Sequence, residues 1–394
     1  VDVHRKLTIF ISYPSDLLTD FRPHGDGLLA FEFINRLAQR GHTLHVVCQS
    51  VEIQGKLPET VKLYSSLSPI SSPILSRVRF LIRSRQLFNR LYRDRKVDII
   101  HELNPIVKGL SFSFLGTEVP VVLGPFHPQW PDDAEVLPYR RPAAAASASF
   151  FSKTSLKHLV FSQQQRQADA LLLSTQAALT TLGNVSENTD KAYDLPPGVD
   201  DIFFSPNSSE VNSAPETPTI LFLANLEVRK GIFTLLDAFE HVAEVLPSCR
   251  LIIAGSGTQL DQTQQRVSRM SCQSQITLLG KIERTQIPET MRQCTVYCLP
   301  SYGEPFGLTA LEAMACGKPI VVTNAGGLAY LIPEQGGYRV PPRNSQALAE
   351  ALLKILSTPE LQIQMGYYNR KLVERVYSWE RVIEKLESIY YKLI

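Results

Sequence analysis

The sequence predicts an α/β protein with two domains, each built on a parallel sheet. Three observations point there. The chain has 394 residues, more than one ordinary hydrophobic core organises. Apolar strand-like runs alternate with amphipathic helical runs, the pattern of strand–helix–strand units. The alternation breaks once, at LPPGVDDIFFSPNSSEVNSAPETP (195–218), where Pro, Ser, Asn and Asp mark a linker, and then restarts.

The first strand is LTIFISY (7–13), followed by a polar loop, PSDLLTDFRPHGDG. LLAFEFINRLAQRGH spaces its apolar residues as a helix does and ends at Gly41. TLHVVCQ is the next strand, and VDIIHE (97–102), PVVLGP (120–125) and ALLLST (170–175) follow. In the second half TILFLANL (219–226) is a strand, GIFTLLDAFEHVAEVL a helix, and CRLIIAG, ITLLG, TVYCLP and PIVVTN are strands. The domains are placed at 1–198 and 199–375, with a last helix in 376–394 set apart as able to cross back to the first domain. Ligands of such sheets sit at the carboxyl ends of the strands, and two such domains facing each other would enclose one deep cleft.

Composition narrows the class. With 44% hydrophobic residues, 20% charged and a net charge of +2, the chain is neither disordered nor a free-standing nucleic-acid binder. No apolar run approaches the roughly 18–20 residues of a membrane span. VDVHRKLTIFISYP has too short an apolar run for a signal peptide and no small-residue cleavage site. The six cysteines are scattered; only Cys294 and Cys298 are close, and no second pair or nearby His completes a metal site. Free thiols, a reducing compartment and a cytoplasmic location are expected.

The chemistry concentrates in PSYGEPFGLTALEAMACGKP (300–319). Pro305 suits a helix start, and FGLTALEAMAC reads as a helix closed by Gly317. The N–H groups of about Gly307, Leu308 and Thr309 lack partners within that helix and form an anion site suited to phosphate. Glu312 lies one turn on, beside apolar Leu308 and Ala315, where a carboxylate needs donors such as the vicinal hydroxyls of a ribose. Glu304 precedes the helix, placed to meet sugar hydroxyls or charge developing on a sugar ring. On this stretch alone the alternative stays open that Glu304 caps the helix and Glu312 is an ordinary solvated or ion-paired residue. LANLEVRKGIFTLLDAF adds Arg229 and Lys230 between a strand and a helix, two cations suited to a diphosphate or else a pair of surface charges. AGSG (254–257) allows close backbone approach at Gly255, and LLGKI (278–282) ends a further strand.

Together ANLEVRKG, LIIAGSG, LLGKI and PSYGEPFGLTALEAMACGKPIV resemble glycosyltransferase family 4, most strongly over 219–327. The eight-residue spacing from Glu304 to Glu312 matches that family's E-x7-E motif. The resemblance implies the GT-B fold, two Rossmann-like domains around a cleft, and a retaining, metal-independent transfer with no cofactor beyond the nucleotide diphosphate sugar. It implies that Lys230 holds the diphosphate with Arg229 assisting, and that Glu304 contacts the transferred sugar. Phe306, Gly307, Leu308 and Thr309 would offer backbone N–H groups, Glu312 would bind ribose, and Lys281 and Ile282 would border the base. VDIIHELNP resembles the segment carrying a cleft histidine, which makes His101 the first candidate to contact the sugar and His127, in GPFHPQW, the second. For His101 the plain alternative is a hydrogen-bonded strand histidine. Three positions depart from the family's pattern: Asn225 stands where an arginine is usual, His24-Gly25-Asp26-Gly27 replaces the usual Gly-Gly with Gly25 still serving the turn, and Tyr330 replaces a glutamate.

The acceptor, a glycan, lipid or small molecule, would be selected by the first domain. RVRFLIRSRQLFNRLYRDRK (77–96) carries seven arginines, one lysine and one Asp, with Phe80, Leu87 and Leu91 at helical spacing. Such a helix suits peripheral contact with an anionic membrane, or equally an apolar stripe turned toward the sheet. RRPAAAASASFF (140–151) reads as a loop over the acceptor side or a surface connection. Two other functions compete: a nucleotide-binding protein without transfer, kept open by Asn225 and Asp26, and a nicotinamide-dependent oxidoreductase, which the absence of G-x-G-x-x-G after the first strand disfavours.

Overall fold

A computed structural model describes residues 5–21, 25–65, 73–94, 97–103, 113–128, 164–182, 189–206 and 217–394. His24 and the 140–151 stretch lie outside the described residues. The chain divides into two units, one of Val1–His127, Ala146–Pro197 and Val382–Ile394, the other of Pro128–Ala145 and Gly198–Arg381.

The first unit holds a seven-stranded sheet of β1 (Thr8–Thr19), β2 (Thr43–Glu52), β3 (Val61–Ser65), β4 (Ile99–Leu103), β5 (Val121–Phe126), β6 (Ala170–Leu173) and β7 (Ala192–Asp194). Its order is β3-β2-β1-β4-β5-β6-β7 and every pairing is parallel. Helices α1 (Gly25–Gln39) and α2 (Pro73–Arg93) belong to it. β1 runs past Pro14, where a polar loop was expected; pairing with β2 is irregular between Tyr13 and Leu17 and resumes as far as Thr19 opposite Glu52. β3 and β7 were not expected. VKLYS has no buried residue, and AYD is only three residues long, so neither shows a strand's burial pattern.

In the second unit the order is β10-β9-β8-β11-β12-β13, again all parallel. The strands are β8 (Thr219–Leu223), β9 (Arg250–Ala254), β10 (Ile276–Gly280), β11 (Val296–Leu299), β12 (Ile320–Thr323) and the unexpected β13 (Gly337–Val340). Its helices are α3 (Ile232–Val245), α4 (Leu260–Val267), α5 (Ile287–Arg292), α6 (Leu308–Ala315), α7 (Leu328–Leu331), α8 (Ser345–Leu356) and α9 (Pro359–Leu372). In both sheets the strand order reverses between the first strand and the fourth: β1 beside β4, and β8 beside β11. That switch point is where open parallel sheets leave a crevice for ligands.

The apolar stripe of α2 faces the sheet. Phe80, Leu81 and Phe88 are buried, with Leu87 and Leu91 packed against the same cluster. Phe10, Phe88 and Phe114 meet edge to face at 5.7, 5.8 and 5.9 Å, a geometry the ring quadrupoles favour. Among its described side chains, α2 leaves Arg83, Gln86, Asn89, Arg90 and Arg93 exposed beside Ile82. No helix among the described residues is long and apolar enough to cross a membrane. All six cysteines are free and buried. Burial pushes the thiols of Cys48, Cys249 and Cys316 up to about 12, far from reactive thiolates.

The C-terminal helix α10 (Trp379–Leu393) begins in the second unit, and from Val382 on it belongs to the first. Glu387 ties it there. The Leu7 N–H donates to His42 Nδ1 at 3.1 Å, so the proton sits on Nε2, which donates to Glu387 at 2.7 Å. Arg40 reaches the other carboxylate oxygen at 2.8 Å. Burial pushes the Glu387 pKa up, but the hydrogen bonds from His42 and Arg40 outweigh it and hold the group below its ordinary value. Such a group stabilises the fold above the unfolded carboxylate pKa, and the contribution is lost as pH falls through the lower folded value. Glu387→Ala should therefore destabilise the first unit at pH 7 by about 1.5–2 kcal/mol, the loss of hydrogen bonds to a charged, partly screened group. In urea melts the gap between parent and variant should close below about pH 4.

Candidate active site

Two loops flank the switch point of the second sheet, 224–231 after β8 and 300–307 after β11. Backbone contact joins them. Gly231 sits at φ 72°, and a side chain there would stand 2.0 Å from the Pro300 carbonyl oxygen, so only glycine fits. The Tyr302 N–H donates to the Arg229 carbonyl at 2.8 Å. Across this seam Lys230 Nζ meets Glu304 Oε2 at 2.5 Å, both side chains largely buried. The Ser301 hydroxyl lies 3.4 Å from the same carboxylate oxygen.

A third loop locks Glu304 from behind. The Gly327 N–H donates to the Glu304 carbonyl at 2.7 Å. Added side chains at Gly326 and Gly327 would come within 2.4 Å of the Glu304 carbonyl oxygen and 2.1 Å of the Pro305 carbonyl oxygen. Helix α6 then begins at Leu308, with Gly307 at φ 98° as its cap, so the helix starts later than the Pro305 position expected from sequence. The turn at 304–307 comes first because the loop must close on Gly326-Gly327. Phe306 is buried and meets Tyr377 edge to face at 6.5 Å. The Tyr297 hydroxyl bridges the Leu223 carbonyl at 3.0 Å and the Thr309 hydroxyl at 2.6 Å. The Thr309 side chain is thus committed to the interior, and the first turn of α6 offers a ligand its backbone N–H groups.

Glu312 follows on α6. Burial raises its pKa to about 7, partly offset by Arg284, whose guanidinium stands 3.9 Å away. Arg284 also lies 6.0 Å from the ring centres of both Phe203 and Phe204. No motif or spacing in the sequence marks Arg284. Gly255, at φ 143°, would place a side chain 1.9 Å from the Ala224 carbonyl oxygen, and its N–H donates to Gly280 at 2.7 Å. The ends of β8, β9 and β10 are therefore stacked backbone on backbone. Lys281 is exposed at the end of β10, and Ile282 is half-buried against the core. Asn225 is exposed, and Arg229 pairs with Glu227 at 2.5 Å.

The expected residues of the second unit thus share one sheet edge; the other expected residues lie in the first unit. Gly25 opens α1, with open space where a side chain would stand. His101 is not at a ligand-facing end. It is wholly buried within β4, its Nδ1 2.5 Å from the Tyr390 hydroxyl and its Nε2 3.0 Å from the Gly124 carbonyl. The structure holds it as a hydrogen-bonded strand histidine. His127 follows the last residue of β5, at the carboxyl edge, and its pKa is lowered by burial and raised by the charge of Asp26 in the first turn of α1.

The site can do three things chemically. Lys230 can exchange a carboxylate for a phosphate, the α6 N-terminus can receive an anion, and Glu312 can change protonation near neutrality. Among the described residues no group of three His, Cys, Asp or Glu is arranged to hold a metal ion. The folded pKa of Glu312 lies above its ordinary 4.5. The fold therefore favours the protonated acid, a contribution intact at low pH and lost as pH rises through about 7. Above that value the ionised group costs about 3 kcal/mol. Glu312→Gln should be more stable than the parent at pH 8.5 by up to this amount and nearly equal to it at pH 5. Urea melts at the two pH values check this, and a difference independent of pH would reject it.

Comparison with known proteins agrees with the geometry. Residues 204–372 match the family model of the glycosyl transferases group 1. The chain is 32% identical over 209 residues to a phosphatidyl-myo-inositol mannosyltransferase of Mycobacterium leprae, covering 50% of this chain and 53% of that protein. It spans about half the length of the curated relatives it matches. Solved structures share the whole fold. Sucrose-phosphate synthase from Thermosynechococcus elongatus aligns over 99% of both chains with a TM-score of 0.69 and 21% identity. Anabaena Alr3699/HepE, solved with UDP and glucose, aligns over 98% of this chain and 100% of its own, with a TM-score of 0.68 and 18% identity. Residues 204–372, most of the second unit, thus carry the domain of the glycosyl transferases group 1, and the chain as a whole shares the GT-B fold of solved glycosyltransferases.

Proposed function

We propose that this protein is a retaining glycosyltransferase that moves a sugar from a nucleoside diphosphate sugar, a UDP-sugar by preference, to an acceptor hydroxyl without a metal ion. The observation that carries the reading is the Lys230–Glu304 pair at the switch point. A donor diphosphate would take Lys230, leaving Glu304 to accept hydrogen bonds from the sugar. Lys230 and the N–H groups opening α6 would stabilise the leaving diphosphate. Glu312 would hold the ribose hydroxyls, and Lys281 and Ile282 would border the base. Gly25 would let the α1 turn approach the donor, and His127, rather than His101, would contact the sugar. In the expected front-face path the acceptor oxygen bonds to the anomeric carbon on the face from which the diphosphate departs. The sugar–phosphate C–O bond breaks, and the acceptor's proton passes to the leaving phosphate oxygen. The acceptor is a hydroxyl of a glycan, lipid or small molecule.

One observation favours a second reading. Asn225 is exposed and uncharged where the family carries an arginine, and Arg229 is engaged with Glu227. A protein that keeps the nucleotide site without transferring sugar would look similar here.

Thermal shifts with UDP, GDP and ADP separate these readings. A nucleotide at about 100 times its dissociation constant adds about 2.7 kcal/mol of stability. One nucleotide should give such a shift, and Lys230→Ala should abolish it. Slow release of free sugar from the matching UDP-sugar, absent in Glu304→Gln, would then mark a transferase. Binding with no turnover of UDP-glucose or other UDP-sugars supports the second reading, and no binding to any nucleotide overturns both.

A further inference from the structure

His101 and Tyr390 form a buried hydrogen-bond chain that the donor site does not use. A carbonyl only accepts, so the Gly124 oxygen fixes the proton on His101 Nε2, and Nδ1 then accepts from the Tyr390 hydroxyl. Burial supports this neutral arrangement. It lowers the His101 pKa to about 4 and raises that of Tyr390 well above its ordinary value. The chain therefore runs in one direction, from the Tyr390 O–H through the imidazole to the backbone of β5.

Its end point is significant. Gly124 lies at φ 130°, and a side chain there would stand 2.5 Å from the Leu172 carbonyl oxygen. The strand is thus pressed against β6 on one side and held by His101 on the other. Three residues later β5 has ended and His127 stands at the carboxyl edge, within the field of Asp26. Tyr390 itself is fixed, because one turn earlier Glu387 anchors α10 to His42 and Arg40.

We propose that Tyr390, acting through His101 and the Gly124 carbonyl, is a positioning residue that sets the orientation of His127. The inference rests on the reading of His127 as the group that meets the sugar. Removing the Tyr390 hydroxyl leaves Nδ1 without its donor, frees the ring to turn or to change tautomer, and releases the Gly124 carbonyl. A misplacement of this kind acts on the reaction and leaves UDP binding intact, because the groups proposed to hold the base, ribose and diphosphate belong to the second unit.

The test compares Tyr390→Phe, His101→Ala and His101→Gln with the parent full-length chain. Three readouts are needed: the UDP dissociation constant, turnover of UDP-sugar hydrolysis, and the imidazole NMR signals of His127, assigned with His127→Asn. For Tyr390→Phe the expected result is a dissociation constant within about twofold of the parent, turnover lowered by about tenfold or more, and a shifted His127 signal. His101→Gln, which keeps a donor and an acceptor, should recover part of what His101→Ala loses. A folded Tyr390→Phe with unchanged turnover and an unmoved His127 signal overturns the proposal. Should Tyr390→Phe fail to fold, the two His101 variants decide, with equal turnover and equal His127 signals overturning it. If the parent binds no nucleotide the functional reading fails, while the His127 signal still tests the coupling.

Discussion

Backbone touching backbone at the carboxyl edge of the second sheet is the constraint on which the rest depends. Gly231 meets Pro300, Gly255 meets Ala224, and Gly326 and Gly327 meet Glu304 and Pro305, each so closely that no side chain fits between. These contacts fix loops from β8, β9, β11 and β12 as one surface. Loops usually lend a site mobility; here the loops are as constrained as the strands that carry them. A site that stabilises charge by preorganised groups gains from this, because its donors need not reorganise as charge develops.

On that surface the charges neutralise one another in pairs. Lys230 lies on Glu304, Arg229 on Glu227 and Arg284 beside Glu312. Each buried or half-buried charge has a partner, as the cost of an unpaired one requires. Glu312 has the weakest pairing, at 3.9 Å, and it is the one whose pKa is raised to about 7. Burial outweighs Arg284 there. In the first unit one buried histidine, His101, is instead satisfied by neutral groups, and burial lowers its pKa to about 4.

Much of this was legible in the sequence. Parallel strands with long apolar runs announce themselves, and a glycine or a charge just past such a run marks a loop at the carboxyl edge. Gly255, Lys230 and Glu304 were singled out that way, and Glu312 by its place one turn into the next helix; the sheet brings them to one edge. The rest depended on contacts between distant positions. The histidine of IIHEL looks the same whether it turns toward a ligand or inward, and what fixes it is a tyrosine 289 residues later. Arg284 gains its place from Phe203, Phe204 and Glu312, none of them near it in sequence. β3, β7 and β13 are short edge or near-edge strands, and their register comes from a neighbour rather than from their own pattern. The late start of α6 reflects the Gly326-Gly327 contact, which local helix preference cannot reveal.

The Lys230–Glu304 pair has a further consequence for a transferase working by the proposed route. The two side chains pair with each other in the structure and would have to separate to receive a donor. Once the sugar had gone, Glu304 would lose the hydroxyls it was holding and could turn back to the ammonium. The diphosphate left behind would then compete with a carboxylate only 2.5 Å from its own cation in the closed pair. On that route, eviction of the spent nucleotide would be built into the same two residues that admitted it, by the restoring of an internal bond.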